Sequence, residues 1–202
     1  MTDFILHKKG YLPKENCQSL IDYFELNSDK HLDGVLGGQK RIDHSQKKST
    51  ELNFYLEDYD LPILQPLLDH LCKVTELYKK EYPFIDDLAK WGLYTAFKIQ
   101  RYYPEEGYFI VHCENDGHFD GDIERRVIAW MVYLNDVFDG GYTSFPHQDK
   151  KFQPRTGDIL MWPAYWTHPH QGIVSMTEKK YIITGWLSFL PDHPFYTSSV
   201  DG

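Results

Sequence analysis

The chain has 202 residues, with 21 Lys and Arg against 30 Asp and Glu, which gives a formal net charge of −9. This acidic balance repels phosphate backbones and anionic lipid surfaces, so nucleic acid and membranes are excluded as expected partners. Hydrophobic residues make up 42% of the chain and aromatic residues 16%, a composition typical of a folded domain that excludes a disordered tail.

The N-terminal half carries helical periodicity. Between Pro13 and Leu26 apolar residues recur at helical spacing, and proline suits a first turn, where its missing N–H costs nothing. The segment from Gly34 to Asn53 is rich in glycine and polar residues and predicts a long loop able to cover a site. From Leu61 to Tyr82 apolar residues again follow one helical face, which stops at Pro83. The sequence therefore predicts two helices separated by a loop.

The periodicity changes beyond about Leu93. Near-continuous apolar runs at Val127–Leu134 and Tyr181–Leu190 are rich in branched and aromatic residues and predict buried strands. Shorter strands are predicted at Tyr142–Phe145 and Ile159–Trp162, between turn signals rich in glycine and aspartate.

Many short strands after a helical start predict an α+β fold. We expect a double-stranded β-helix, that is, a jelly-roll or cupin-like core, with flanking N-terminal helices. The length suits one domain over residues 1–202. Its helical lead-in would cover about 1–92 and its jelly-roll core about 93–190.

A candidate metal site begins with the pair His112 and Glu114. Side chains two apart on a strand point to the same side, so both can address one ion while Cys113 faces away. Two histidines and one carboxylate leave coordination positions open, which suits Fe(II) that binds an oxidant and a chelating cosubstrate. The third ligand would come from a distant strand, where His168 and His170 are the candidates.

A longer series of residues around this pair is more specific than the pair itself. In chain order it comprises Tyr103, His112, Glu114, Arg126, Tyr133-Leu134-Asn135-Asp136-Val137, Gly140-Gly141-Tyr142-Thr143-Ser144-Phe145, Pro154, Gly157, His170-Gln171-Gly172, Lys180 and Trp186. This series resembles the prolyl 4-hydroxylase branch of the Fe(II)/2-oxoglutarate dioxygenases. The resemblance covers about half of the chain, from roughly Ile99 to Phe189.

The resemblance implies roles for individual residues. His112, Glu114 and His170 would bind the iron. Lys180 would bind the distal carboxylate of 2-oxoglutarate, since a buried dianion needs a cationic partner. Tyr103 would be a hydrogen-bonding neighbour of this cosubstrate.

Two further residues are expected beside the cosubstrate. The resemblance implies Thr143 as a second hydrogen-bonding neighbour. Strand alternation places Lys180, Thr184 and Trp186 on one face of the last strand, so Trp186 is expected to pack against the cosubstrate. Its other interpretation is a core tryptophan.

Two alternatives for the ligand set stay open. The branch more often has Asp where Glu114 stands, and His118 with Asp120 has this commoner form. That pair falls in a polar stretch that predicts a loop, whereas His112 and Glu114 follow a strand-like apolar run. His168 could replace His170, although the spacing to the basic residue is measured from His170.

The resemblance implies a non-haem dioxygenase that uses Fe(II), 2-oxoglutarate and O₂, with ascorbate as reductant, to hydroxylate an unactivated C–H bond. The leading substrate is a prolyl residue of a peptide or protein, with release of succinate and CO₂. Three alternatives remain: a hydroxylase of a free amino acid or other small molecule, a cupin-like metal-binding protein without 2-oxoglutarate turnover, and a catalytically silent binding module.

The cysteines and the N-terminus bear on localisation. Cys17, Cys72 and Cys113 are widely spaced and odd in number, which argues against a disulfide framework and fits a reducing compartment. The N-terminal apolar stretch is too short for a signal peptide, and no run approaches membrane-spanning length. The sequence predicts a soluble, cytoplasmic protein.

Overall fold

The computed structural model describes residues 2–36, 41–93, 96–117 and 123–190. Helix α1 spans Lys14–Leu26 and follows Pro13, which lacks the N–H that a first turn would leave unpaired. Helix α2 spans Gln65–Glu81, has a proline in its first turn, and ends before Pro83. It begins four residues later than Leu61, the predicted start, and the intervening residues form turns that close with the Leu64 N–H donating to Leu61 O.

Eleven strands are found among the described residues. They are β1 Leu6–Lys8, β2 Leu32–Asp33, β3 Thr50–Phe54, β4 Trp91–Gly92, β5 Phe97–Tyr102, β6 Arg126–Tyr133, β7 Thr143–Phe145, β8 Lys150–Phe152, β9 Ile159–Pro163, β10 Gln171–Gly172 and β11 Lys180–Phe189. Short 3₁₀ turns occur at Ser28–Lys30, Leu56–Asp58, Pro83–Asp87 and Ile123–Arg125.

The strands form two antiparallel sheets. The larger has the order β1-β9-β6-β11-β5-β3-β2, with β4 also paired to β11, and the smaller has the order β10-β7-β8. Neighbours in the large sheet are mostly distant in sequence, as in a rolled sheet whose strands are joined by long connections. Both helices precede the long strands, as predicted. The predicted helical lead-in of about 1–92 also contains β1 to β4, which join the large sheet.

The large sheet is buried on both faces, which explains the continuous apolar runs of β6 and β11. Trp130 and Val132 of β6 pack in the same apolar core as Phe24 of α1 and Leu71 of α2. The next residue of β6, Tyr133, points to the opposite face and packs in a second core with aromatic residues of β7 and β9. Helices thus cover one face, and the other faces the small sheet.

The predicted C-terminal end of the loop before β3 is wrong. The predicted loop from Gly34 to Asn53 ends sooner, because Thr50–Phe54 forms β3 and pairs with β5. The strand was not recognised in the sequence because Glu51, a charged residue, is buried in it at 2% exposure and interrupts the expected alternation of apolar and polar residues. No helix among the described residues is long and apolar enough to cross a bilayer.

Candidate metal and cosubstrate site

A single β-bridge brings together the two histidines that the sequence analysis selected. The His112 N–H donates to His170 O at 3.0 Å, and the His170 N–H donates to His112 O at 2.8 Å. Glu114 is held close by, since its N–H donates to the Ala164 carbonyl at the end of β9. Direct pairing of the two backbone segments therefore brings the side chains of His112 and His170 together, although they are far apart in sequence.

The three side chains converge on a small space. One ligand atom from each of His112, Glu114 and His170 lies within 4.8 Å of the others. The Oε1 atom of Glu114 is 3.1 Å from His170 Nε2 and 3.8 Å from His112 Nε2. The two imidazole centroids are 4.4 Å apart. This spacing fits one ion held between two nitrogens and one oxygen.

The outer nitrogens of both imidazoles establish which inner atoms are available to a metal. His112 Nδ1 lies 3.1 Å from Ile110 O, and His170 Nδ1 lies 3.1 Å from His168 O. A carbonyl only accepts, so each Nδ1 carries the proton and each neutral ring offers its Nε2 lone pair. At His170 that lone pair faces the Glu114 carboxylate, another acceptor, so a cation between them satisfies both. These donors fit a divalent metal.

Electrostatics keeps these groups in the forms that bind metals. Burial by itself raises the pKa of Glu114, but the two neighbouring imidazoles outweigh it and hold this pKa well below its usual range. Burial and the neighbouring His170 together lower the pKa of His112, against the opposing effect of Glu114. The carboxylate is therefore ionised and the His112 ring is neutral near pH 7.

The second oxygen of Glu114 is held by the last long strand. The indole N–H of Trp186 donates to Glu114 Oε2 at 2.9 Å. The guanidinium carbon of Arg126 lies 3.5 Å from the Trp186 ring centroid, and Arg126 Nη1 donates to the backbone carbonyl of Glu114. Trp186 thus contacts a candidate ligand directly, a role more specific than the predicted packing against the cosubstrate.

Lys180 supplies a buried positive charge in the cavity that is also lined by the three candidate metal ligands. Its side chain is only 5% exposed, its Nζ donates to Gly141 O at 3.1 Å, and its Nζ lies 4.7 Å from the Tyr102 ring centroid. Burial lowers its pKa to about 8. Among the described residues no carboxylate lies within 4.0 Å of this nitrogen. An anion entering the cavity would therefore find an uncompensated cation.

The two residues predicted to form hydrogen bonds with the cosubstrate, Thr143 and Tyr103, lie in different places. Thr143 is buried in the cavity wall, where its Oγ1 lies 2.7 Å from the Tyr133 hydroxyl oxygen. Tyr103 is 42% exposed, and its ring contacts Arg101 and Lys179.

The prediction for Tyr103 is thus corrected, because its ring does not line the cavity. Strand alternation gives the reason: β5 points Tyr102 inward, opposite Lys180 in the register with β11. The sequence offers two adjacent tyrosines, and only the register decides between them. Tyr108 was also missed; it stacks on the His112 ring with centroids 3.7 Å apart.

The two alternatives for the ligands differ in what the structure says. His168 is held elsewhere, with Nε2 2.8 Å from Asp3 O and Nδ1 2.9 Å from Thr167 Oγ1. His118 and Asp120 lie outside the described residues.

One cavity of about 880 Å³ unites the site. Its wall includes His112, Glu114, His170, Lys180, Thr143 and Trp186. The volume lies within the range of ligand-binding cavities and is larger than a five-carbon dicarboxylate requires, which leaves space for part of a second molecule.

Known proteins resemble this chain in sequence and in structure. A protein of Acanthamoeba polyphaga mimivirus named "Putative prolyl 4-hydroxylase" is 27% identical over 185 residues, which cover 84% of this chain and 68% of that protein. Residues 97–188 match the family model described as the 2OG-Fe(II) oxygenase superfamily. Residues 97–188 therefore form a 2OG-Fe(II) oxygenase domain. This 2OG-Fe(II) oxygenase is therefore a dioxygenase that depends on Fe(II) and 2-oxoglutarate, as predicted.

Solved structures confirm the predicted fold of this oxygenase. The viral collagen prolyl hydroxylase of Paramecium bursaria Chlorella virus-1, crystallised as a 2-oxoglutarate complex, has a TM-score of 0.67 at 20% identity and is covered over 97% of its chain, with 93% of this chain. A Pseudomonas putida prolyl-4-hydroxylase has a TM-score of 0.64 at 14% identity, covering 92% of both chains. A Trichoplax adhaerens prolyl hydroxylase, bound to a hypoxia inducible factor peptide, has a TM-score of 0.67 at 14% identity, covering 93% of this chain and 84% of that one.

Proposed function

We propose that this oxygenase hydroxylates a prolyl residue of a peptide or protein, with His112, Glu114 and His170 holding its iron. The relatives described above support this substrate class, since they carry the names of prolyl hydroxylases. The observation that carries the assignment of ligands is the convergence of two carbonyl-anchored imidazoles and one carboxylate within 4.8 Å.

We propose that Lys180 binds the distal carboxylate of 2-oxoglutarate. It is a buried cation in the cavity that also holds the candidate ligands, and its carbonyl partner Gly141 supplies no charge. Thr143 lies in the same wall and offers a hydroxyl to the cosubstrate. When bound, the iron and 2-oxoglutarate supply the oxidative decarboxylation and the hydroxylation of a C–H bond.

The protein's own residues would orient the reactants. Glu114, oriented by Trp186, would hold the iron with a carboxylate where a halogenase would need room for a halide, so hydroxylation is favoured over halogenation. Tyr108 stacks on His112 and limits the rotation of that ring. The buried wall around His170, formed by Phe145 and Trp162, keeps water from one side of the site.

Two finer expectations belong to the same proposal. Ascorbate would act as reductant. The cytoplasm would be the compartment, which is supported by three cysteines in the free thiol form.

The proposal is tested by two measurements on the whole chain. Anaerobic addition of Fe(II) and 2-oxoglutarate should produce the visible charge-transfer absorption of the chelate, which a cupin-like protein or a silent binding module would not show. Succinate release should then be stimulated by a proline-containing peptide and not by free proline. Stimulation by free proline alone would instead assign this enzyme to a small-molecule substrate.

A further inference from the structure

Charge in this oxygenase is divided between its surface and its cavity. The chain carries a formal net charge of −9, yet cationic side chains dominate the cavity wall. Among the described lining residues five are cations and two are carboxylates: Arg41, Lys47, Lys98, Arg126 and Lys180 against Glu114 and Asp116. Asp43 pairs with Arg41, and Glu51 pairs with Lys47 and Lys98, so the positive excess falls from three charges to one. One Fe(II) and one dianionic cosubstrate cancel each other, so they leave this remaining positive charge in place. A cavity of this kind favours a further anionic group.

Part of the excess comes from an ion cluster of Lys47, Glu51 and Lys98. Lys47 Nζ lies 2.5 Å from Glu51 Oε1, and Lys98 Nζ lies 2.7 Å from Glu51 Oε2. Lys47 and Glu51 are each 2% exposed. Two lysines thus share one carboxylate, so the cluster has a net positive charge in surroundings that solvate it poorly.

The pKa values of the cluster agree with this charge balance. Burial, and then the charge of Lys98, lower the pKa of Lys47 to about 8 despite the presence of Glu51. For Glu51, burial raises the pKa, but the two lysines outweigh it and bring it to about 2. The carboxylate is ionised at neutral pH, and the two lysines repel each other.

The ion cluster lies apart from the position assigned to 2-oxoglutarate. In the register of β5 with β11, Tyr102 is opposite Lys180 and Lys98 is opposite Thr184. Four residues along a strand separate the two rows by about 13 Å. Lys98 and Lys180 therefore lie too far apart to contact the same carboxylate.

Lys98 is the member of the cluster that a ligand can reach. Its side chain is 15% exposed and lies in the cavity wall. In the pairing of β3 with β5, Lys98 is opposite Asn53, which also lines the cavity. An ammonium group has three N–H donors, and among the described residues only Glu51 accepts one. Tyr55, 48% exposed, lines the same cavity.

The ion cluster is also adjacent to the candidate metal site. Lys47 forms a β-bridge with Tyr108, and its Nζ lies 5.3 Å from that ring centroid. Tyr108 in turn stacks on His112. A ligand held by Lys98 would therefore lie beside a group placed at the metal.

We propose that Lys98, supported by Lys47 and Glu51, binds a carboxylate of the substrate next to the residue that is hydroxylated. This inference rests on the proposed function and narrows its substrate class to acidic peptides. The carboxylate would belong to an Asp or Glu side chain near the target proline, or to the C-terminus of a short peptide. The two sources have the same chemistry, and Lys98 would recognise either.

The test compares matched peptides that differ in one charge. In a series of proline-containing peptides, Glu is placed at each position near the proline in turn, and each Glu peptide is compared with the peptide that has Gln at that position. Every peptide is made both with a C-terminal amide and with a free C-terminal carboxylate. The wild-type enzyme should prefer one Glu peptide, or the free carboxylate, by about tenfold to a hundredfold in kcat/KM. Lys98→Met should bring this ratio towards one, Lys98→Arg should retain it, and Lys73→Met, on the exposed side of α2, is the matched control.

Two results would overturn the inference. One is equal use of Glu and Gln peptides, and of free and amidated C-termini, by the wild type. The other is a Lys98→Met variant that loses activity towards all peptides equally, which would make Lys98 a structural partner of Glu51. Thermal unfolding identifies variants that fail to fold.

A binding measurement separates this inference from the proposed function. If no peptide is hydroxylated, prolyl hydroxylation is wrong, but calorimetric titration of the same Glu and Gln peptides still tests the carboxylate site. Tighter binding of a Glu peptide that disappears in Lys98→Met would support the site, and equal binding would refute it.

Discussion

The indole N–H of Trp186 donates to Oε2 of Glu114 at 2.9 Å, across 72 positions of the sequence. The bond leaves Oε1 of the same carboxylate facing His170 Nε2. A side chain from the last strand thereby orients a candidate metal ligand that lies in an irregular segment. Partners of this kind fix the rotamer of a ligand and its basicity.

Replacing Trp186 should weaken iron binding without changing the ligands themselves. In Trp186→Phe the ring remains but the donor is lost, so we expect affinity for Fe(II) to fall by about tenfold to a hundredfold. Anaerobic metal titration measures this affinity. Trp91→Phe is the matched control, because that indole donates to Ile85 O outside the cavity. Equal metal affinity in Trp186→Phe and wild type would contradict this role.

The ligand assignment predicts a sharp pattern among alanine variants. His112→Ala, Glu114→Ala and His170→Ala should each abolish succinate release, because removing a ligand opens the site and loosens the metal. His118→Ala and Asp120→Ala should keep most of the activity. Metal content is measured alongside turnover, and the reverse pattern would move the metal site to the second pair.

Lys180 should matter for the cosubstrate and not for the metal. Lys180→Met removes the charge that receives the distal carboxylate, so KM for 2-oxoglutarate should rise by at least about tenfold while iron stays bound. Because burial alone lowers the pKa of Lys180, the free energy of unfolding of the metal-free protein should rise by up to about 3 kcal/mol. Urea unfolding checks this second effect, and unchanged cosubstrate affinity would refute the assignment.

Binding of 2-oxoglutarate should depend on pH through the same lysine. The pKa of Lys180 is lowered from its ordinary 10.5 to about 8, so the charge is present below pH 8 and lost above it. Affinity should therefore fall above pH 8, by up to about tenfold per pH unit. Lys180→Arg keeps its charge over this range and should flatten the profile. A wild-type profile as flat as that of the arginine variant would exclude Lys180 as the titrating group.

Glu51 should be a major contributor to stability. Glu51→Gln leaves two poorly solvated lysines without a carboxylate, so we expect a loss of about 3–5 kcal/mol in the free energy of unfolding. The exposed pair of Glu76 and Lys79 offers a matched control, since Glu76→Gln should cost less than about 1 kcal/mol.

The stabilisation by Glu51 should have a defined pH range. Its pKa in the folded protein is about 2, below the ordinary 4.5, so its contribution is complete above pH 4.5 and is lost as the pH falls towards 2. The difference in stability between wild type and Glu51→Gln should shrink over that interval. A difference independent of pH would mean that packing, and not charge, accounts for the loss.

Features that depend on local pattern could be predicted from the amino-acid sequence. Helical spacing predicted α1 and α2, and apolar runs predicted β6 and β11, because burial of one face or of both leaves a period in the chain. Strand-like alternation also predicted His112 and Glu114 on one side, although among the described residues no strand contains the pair and only His112 forms a β-bridge.

The pairing of the strands and their register, in contrast, follow from contacts between distant parts of the folded chain. Tyr102, and not Tyr103, faces Lys180 because β5 pairs with β11 in one register, and a shift by one residue would exchange the two rings. Glu51 lies in a strand because lysines from the preceding segment and from β5 compensate its charge. Such partners are distant in sequence and leave no period in it, so their contacts arise only when the strands are paired.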